Sequence, residues 1–319
     1  MGLQLVFVMD PPEIMDIDAD TTFALAFEAQ ERGHRIYHAD PADLGVNAGR
    51  ATARIQPLAL RRERGAHMSL EAGQEVVLDD VADVVWQRKD PPVDAEYVVA
   101  TQILTLCHRA TVLNRPEGIL AANEKLYALH FPELMAETLV TASRERLLGF
   151  LDELGGEMIV KPLDGRGGEG IFVLRRGDPN LHSLLEQSTA FGTRRAMAQR
   201  FLPEVREGDK RVLLLDGEPL GAVLRVPADG EARANLHVGG RAAAATLDDA
   251  DRRIVERIAP SLRRDGLFFV GIDVIGGRLT EINVTSPTGI QEMTRLDGTD
   301  YSARVIDAVE ARAARNSDG

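Results

Sequence analysis

The chain opens on Leu3-Gln4-Leu5-Val6-Phe7-Val8-Met9, an apolar run of strand length. From Thr21 to Arg32 its apolar residues recur at helical intervals, behind Asp20 as a candidate cap, and strand character returns at Arg35 to His38. Such a start predicts an open, mostly parallel sheet. Val81-Ala82-Asp83-Val84-Val85-Trp86 and Ala110-Thr111-Val112-Leu113-Asn114 read as later strands of that sheet, with a helix from Asp94 to Arg109 between them. Polar residues follow two of the strands, as Asp10-Pro11-Pro12 and Arg88-Lys89-Asp90-Pro91-Pro92. Open α/β sheets place their ligand crevice at such ends, although strand exits terminated by proline account for the same residues equally well.

The pattern then changes. Asn123-Glu124-Lys125-Leu126 is expected to begin a helix at the entry to a second domain. Thr138-Leu139-Val140 is a short strand, and Ser143 caps a helix from Arg144 to Leu154. The apolar run Met158-Ile159-Val160 ends at Lys161 and a glycine-rich stretch through Gly170, after which Ile171-Phe172-Val173-Leu174 is again strand-like. A helix near Leu181 to Glu186 precedes strands at Ala196 to Leu202 and Arg211 to Leu215. From Pro227 to Arg241 the pattern breaks down into a long stretch rich in Gly and small residues, expected to be a mobile functional lid. Helices at Asp248 to Arg264 and Tyr301 to Arg315 flank a hairpin at Gly271 to Val284. The chain is thus α/β, divided into residues 1–122, 123–202 and 203–319, with the mobile loop at 226–241.

Composition removes several classes of function. With a net charge of −13 and no basic cluster, nucleic acid is not an expected partner. No apolar stretch approaches the roughly twenty residues of a membrane span, and the first strand starts without a basic leader, so the cytoplasm is the expected location. Cys107 is the only cysteine, which excludes an intrachain disulfide and a cysteine-built zinc site; a buried structural thiol is its expected role. Only four lysines occur against thirty-three arginines, a scarcity that codon bias can explain. Placement is another matter, because Lys125 and Lys161 stand where a triphosphate needs compact positive charge.

Gly165-Arg166-Gly167-Gly168-Glu169-Gly170 spells the dinucleotide fingerprint, but that motif requires a helix directly after it and a strand follows here. A Walker loop is absent too, since no lysine is preceded by glycine. What remains is a glycine loop between strands, able to turn backbone N–H groups onto phosphate oxygens, or a plain glycine hairpin. Glu281 and Asn283 lie two apart on one strand and share a face. A two-residue Gly276-Gly277 loop would pair Asp273 with Thr280 and aim its carboxylate away from Glu281. A loop of Gly276, Gly277 and Arg278 pairs Asp273 with Glu281 and assembles three oxygen ligands suited to magnesium; that longer loop is expected. The alternative, solvated strand residues, conflicts with the flanking Val270, Ile272, Val274, Ile282 and Val284, which imply burial of the other face.

Taken together, Asn123-Glu124-Lys125-Leu126, Lys161-Pro162-Leu163-Asp164-Gly165-x-Gly167-Gly168, Asp209-Lys210-Arg211, Gly271-x-Asp273 and Glu281-Ile-Asn283-Val-Thr285-Ser286-Pro287-Thr288 resemble the bacterial glutathione synthetases of the ATP-grasp superfamily. Met9-Asp10-Pro11 and the Arg88 to Pro92 segment extend the resemblance over nearly the whole chain, with departures at Arg166 and at Glu169, whose carboxylate is expected to point away from phosphates. The resemblance implies an N-terminal α/β substrate-binding domain followed by a two-part ATP-grasp domain. It also implies ATP bound by Lys125, Lys161, Gly165, Gly167, Gly168, Gln199, Phe201, Leu202 and Asp209, and magnesium or manganese held by Asp273, Glu281 and Asn283. Asp10, Arg88, Ser286 and Thr288 are expected to bind substrate, and Arg211, Arg225, Arg233 and Arg241 to supply catalytic charge, although a surface ion pair is the competing explanation for each arginine. The implied reaction joins γ-glutamylcysteine to glycine through an acyl phosphate, releasing ADP and phosphate, in a homo-oligomer. A ligase for another dipeptide or amino-acid pair is the alternative.

Overall fold

The computed structural model describes residues 2–165, 167–228 and 239–317, which form three sheets. The first contains β1 (Gln4–Val8), β2 (Arg35–Ala39), β3 (Leu44–Asn47), β4 (Arg50–Leu60), β5 (Met68–Leu70), β6 (Gln74–Val77), β7 (Val84–Gln87) and β8 (Thr111–Leu113). Its central order β2-β1-β7-β8 is parallel, as the opening pattern predicts. An antiparallel arm built on β4, which pairs with β2, β3, β5 and β6, has no counterpart among the expected elements. Helices α1 (Thr21–Glu31), α2 (Leu78–Val81), α3 (Ala95–Leu104) and α4 (Pro116–Ala121) accompany this sheet. Asp20 caps α1 by accepting from the N–H groups of Thr22 and Phe23. The helix begun at Ala95 stops well before Arg109, because the Asp79 carboxylate accepts from the N–H groups of His108, Arg109 and Ala110 and draws the chain out of helical geometry.

Asn123 does not start a helix. Its side-chain oxygen accepts from the N–H groups of Lys125 and Leu126, closing a turn of the kind Asn forms with its own backbone, and only two short 3-10 segments follow, at Tyr127–His130 and Pro132–Leu134. The second sheet has the order β11-β10-β12-β9, from β9 (Thr138–Thr141), β10 (Glu157–Pro162), β11 (Phe172–Arg175) and β12 (Ala196–Arg200), with α5 (Arg144–Glu153) and α6 (Leu181–Ser188) on one face. The third sheet, β15-β14-β13-β16-β17, is built from β13 (Asp209–Leu215), β14 (Glu218–Val226), β15 (Arg241–Ala244), β16 (Phe269–Ile275) and β17 (Arg278–Asn283). It is joined by α7 (Asp249–Arg264), α8 (Ile290–Asp297) and α9 (Tyr301–Ser317). The expected lid at 226–241 is bounded by strand on both sides, since Val226 pairs with Arg241; residues 229–238 of it, Arg233 included, lie outside the described residues.

The first and third sheets share one core. Leu5, Phe7, Phe23 and Trp86 pack in the same buried cluster as Leu213, Phe269, Ile290 and Val305, so the expected domains 1–122 and 203–319 are two sheets over one core. Asn114, just beyond β8, stitches the two together: its amide donates to the carbonyls of Phe269 and Val284 and accepts from the Phe269 N–H. Met158, Val160, Leu174 and Ala198 of the second sheet instead pack with Leu147, Leu151 and Leu185 in a cluster of their own.

Candidate active site

The hairpin of β16 and β17 turns through two residues, Gly276 and Gly277, at φ of 55° and 71°, and Ile275 pairs with Arg278. The longer loop expected from counting is therefore absent. A tight turn with both central residues at positive φ matches strand twist and favours glycine. Farther along, Val274 pairs with Leu279 but Asp273 pairs with Glu281, which leaves Thr280 as the extra residue of a β-bulge. The bulge restores the alignment that the two-residue turn alone would have lost. Asp273 stands opposite Glu281 and Gly271 opposite Asn283, so the three expected oxygen ligands line one cavity.

Strand register also brings the cations. Arg211 is the cross-strand partner of Asp273, and Arg225 that of Asp209. Arg211 donates to both oxygens of Asp273 at 2.5 and 3.1 Å, while Arg225 NH2 lies 3.0 Å from Asp273 Oδ2 and 2.5 Å from Asp209 Oδ2. Burial alone would raise the Asp273 pKa, but the two guanidiniums hold its carboxyl well below the usual carboxylate range. For Asp209 burial prevails over Arg225 and lifts the carboxyl to about 6. Glu281 lies 3.6 Å from Lys125 and 3.5 Å from Lys161, and these ammoniums lower its pKa against the effect of burial. Burial lowers the Lys161 pKa in turn. Lys125 Nζ donates to the Gly165 carbonyl at 2.9 Å, tying the glycine loop to the ribbon side of the cavity.

The cavity has a volume of about 880 Å³ and runs between the second and third sheets to the strand ends of the first. Lys125, Lys161, Gly165, Gly167 and Gly168 line it, as do Gln199, Phe201 and Leu202 along the end of β12. Asp209, Arg211, Arg225, Arg88, Ser286 and Thr288 complete the expected residues that the structure gathers there. Two others stand elsewhere. Asp10 is off the cavity wall and braces the Arg88 to Pro92 segment, accepting from the Asp90 N–H at 3.0 Å and facing Lys89 at 2.9 Å. Arg241 is exposed on β15, also off the wall. Glu169, expected to point away, lies on the cavity rim. Cys107 packs among the apolar residues of the first sheet, where burial pushes its thiol up to about 12.

Several cavity residues were not among the expected set, Glu124 and Asp20 among them. Glu124 accepts from the Thr285 hydroxyl at 3.3 Å, and burial followed by the neighbouring Glu281 pushes its carboxyl up to about 7. The signal was its place beside Lys125. Asp20 lines the cavity while capping α1; its capping role explained it fully in the sequence and masked the second one.

The donors of the ribbon are all oxygens, which suits a hard divalent cation. Among the described residues no three His, Cys, Asp or Glu side chains form a ready metal cluster. Magnesium does not require one, since it takes one or two carboxylates and completes its shell with water and phosphate oxygens. The unpartnered buried Oδ1 of Asp209 beside this group is further unused acceptor capacity. Asp273, Glu281 and Asn283 thus fit a cation that arrives with a nucleotide.

Known proteins resemble this chain over nearly its whole length. The profile of the prokaryotic glutathione synthetase N-terminal domain matches residues 3–119, and that of the prokaryotic glutathione synthetase ATP-grasp domain matches residues 124–298. A glutathione synthetase of Gloeobacter violaceus is 48% identical over 312 residues, 96% of each chain. One of Brucella melitensis is 46% identical over 314 residues, covering 98% of this chain and 100% of its own. Among solved structures, D-cycloserine synthetase DcsG superposes with a TM-score of 0.69 at 16% identity, over 97% of this chain and 99% of that one. The ATP-grasp ligase PsnB in complex with Mg and ADP gives 0.62 at 19%, over 96% and 97%. These two share the fold. Matched by both profiles across nearly its whole length and by full-length relatives at this identity, the chain belongs to the prokaryotic glutathione synthetase family of ATP-grasp enzymes.

Proposed function

We propose that the protein is an ATP-dependent ligase that joins γ-glutamylcysteine to glycine, releasing ADP and phosphate. The observation that carries this reading is the convergence of two buried ammoniums and a three-oxygen ribbon on one cavity. ATP lies between the second and third sheets, its adenine against Gln199, Phe201 and Leu202 and its phosphates near Lys125, Lys161 and the glycine loop. Asp273, Glu281 and Asn283 hold magnesium, or manganese in its place, which neutralises phosphate charge when bound.

The cysteinyl carboxylate of γ-glutamylcysteine attacks the γ-phosphorus and forms an acyl phosphate. The glycine amine then displaces phosphate from the acyl carbon. No protein nucleophile is needed, in keeping with a lone cysteine that is half-buried away from the cavity. The chain contributes position and fixed charge: Lys125 and Lys161 offset the phosphates, and Arg211 and Arg225, anchored on Asp273 and Asp209, offer permanent positive charge where the carboxylate becomes phosphorylated. Excluding water protects the acyl phosphate from hydrolysis. The enzyme works in the cytoplasm as a homo-oligomer on small-molecule substrates.

The test is ADP release with γ-glutamylcysteine, with and without glycine. Turnover that requires both supports the reading; turnover only with a different acceptor pair overturns it.

A further inference from the structure

Helix α3 covers the first sheet with one face and is poorly adapted to water on the other. Tyr97, Ala100, Thr101 and Leu104 form its inner face and are buried, Ala100 and Leu104 in one cluster with Val6 and Tyr37 of the sheet. The outer face runs through Ala95, Val99 and Gln102, all exposed, with Ile103 half-buried beside them. Glu96 is the one charged residue among the ten of this helix. By contrast α5, also ten residues long and laid on one face of a sheet, carries five: Arg144, Glu145, Arg146, Asp152 and Glu153. The elements packed beside α3 extend the uncharged surface, for β3 exposes Val46 at 52% and α4 exposes Leu120 at 39%, against 47% for Val99 itself. Single exposed aliphatic residues are ordinary, whereas a helix stripe of them without charge marks a contact face. Nothing among the described residues covers this one.

The charges stand at the two ends of the stripe, sorted by sign. Asp94 and Glu96 are exposed at the N-terminal end, and Arg109 is exposed beyond the C-terminal end. Carboxylates near Arg109 are already engaged: Asp80 by Arg50 through both oxygens, and Asp79 by the N–H groups of His108, Arg109 and Ala110. A second α3 laid antiparallel across the first sets Arg109 of each chain toward Asp94 and Glu96 of the other, with Val99 and Gln102 at the centre and the helix dipoles opposed. A parallel arrangement would bring like ends together. Chains of net charge −13 repel one another over most of their surface, so a neutral stripe with opposite charges at its ends is where two copies meet at least cost. We infer that the outer face of α3 is a two-fold contact between copies of this chain. The assignment rests on the homo-oligomer proposed above and gives it a face; it does not draw on the ligase chemistry, since no residue of α3 lines the cavity.

Sedimentation velocity on the full chain reads the mass in solution. The unmodified protein is expected as an even multiple of the chain mass. Val99→Glu sets two like charges at the axis and is expected to halve that mass, with glycine-dependent ADP release retained. Glu96→Arg and Arg109→Glu each place like charges across the contact, and two-fold symmetry repeats the clash, so each is expected to weaken assembly about tenfold. Combining them restores opposite signs and is expected to recover most of the loss. An oligomer whose mass Val99→Glu leaves unchanged, or a double substitution that assembles no better than the single ones, overturns the α3 contact and leaves the homo-oligomer standing. An unmodified protein that sediments as a monomer at its highest soluble concentration overturns both.

Discussion

Arg211 holds Asp273 at two points, Nε to Oδ1 and NH2 to Oδ2, and both residues are buried. Arg225 leans on the same carboxylate. Replacing Asp273 with Asn strands Arg211, which cannot neutralise itself, and leaves Arg225 with Asp209 alone. Asp273→Asn is expected to lose about 3–5 kcal/mol of unfolding free energy in a urea titration, together with turnover. A midpoint equal to the parent's would show that the pair does not hold the ribbon.

Glu281 should behave differently. Its lysine contacts are long, at 3.5 and 3.6 Å, and a buried lysine, unlike an arginine, can neutralise itself by releasing its proton. Glu281→Gln is expected to abolish ADP release at a stability cost of about 1 kcal/mol, the size of one pKa unit. Undiminished rates would remove the metal assignment.

Glu124 links stability to pH. Its carboxyl is raised from 4.5 to about 7 by burial and then by Glu281. Between those values the folded protein keeps a proton that the unfolded chain has released, so stability is highest below the window and falls as pH rises through it. The fall attributable to this group is on the order of 3 kcal/mol. Glu124→Gln should flatten it, as read from urea midpoints of nucleotide-free, metal-free protein at the two ends of the window. An unchanged slope would mean that another group carries the effect.

Lys125 joins the glycine loop to the ribbon by donating to the Gly165 carbonyl and lying 3.6 Å from Glu281. Lys125→Met is expected to raise the KM for ATP at least tenfold, ~1.4 kcal/mol, and to open the glycine loop to protease. Loop cleavage and an ATP KM like the parent's would place the ammonium outside nucleotide binding.

Part of the order of strands and helices in the ATP-grasp part was legible where apolar period and glycine punctuation agree, as at Ser143 before α5 and Asp248 before α7, whereas β14, β15 and α8 were not expected and the helix at Asn123 does not form. The opposition of Asp273 and Glu281 was legible too, but its cause was not. Counting from the glycines required an additional loop residue, and Thr280, β-branched and at home in a strand, gives no sign that it is the bulge. The β4 arm escaped because its pairings are all antiparallel and Pro57 interrupts its strand pattern. Asp10 and Arg88 looked alike as strand-end polar residues; only tertiary packing made one a brace and the other part of the cavity wall.

The four-stranded sheet keeps its oily residues to itself: Met158, Val160, Leu174 and Ala198 pack with Leu147, Leu151 and Leu185, apart from the three larger cores. Tilting this slab against the rest of the molecule need not wet those residues. What it parts is ionic, as where Lys161 meets Glu281. Parting the slabs to admit or release a nucleotide therefore breaks a sheltered ion pair that dissolved salt weakens little.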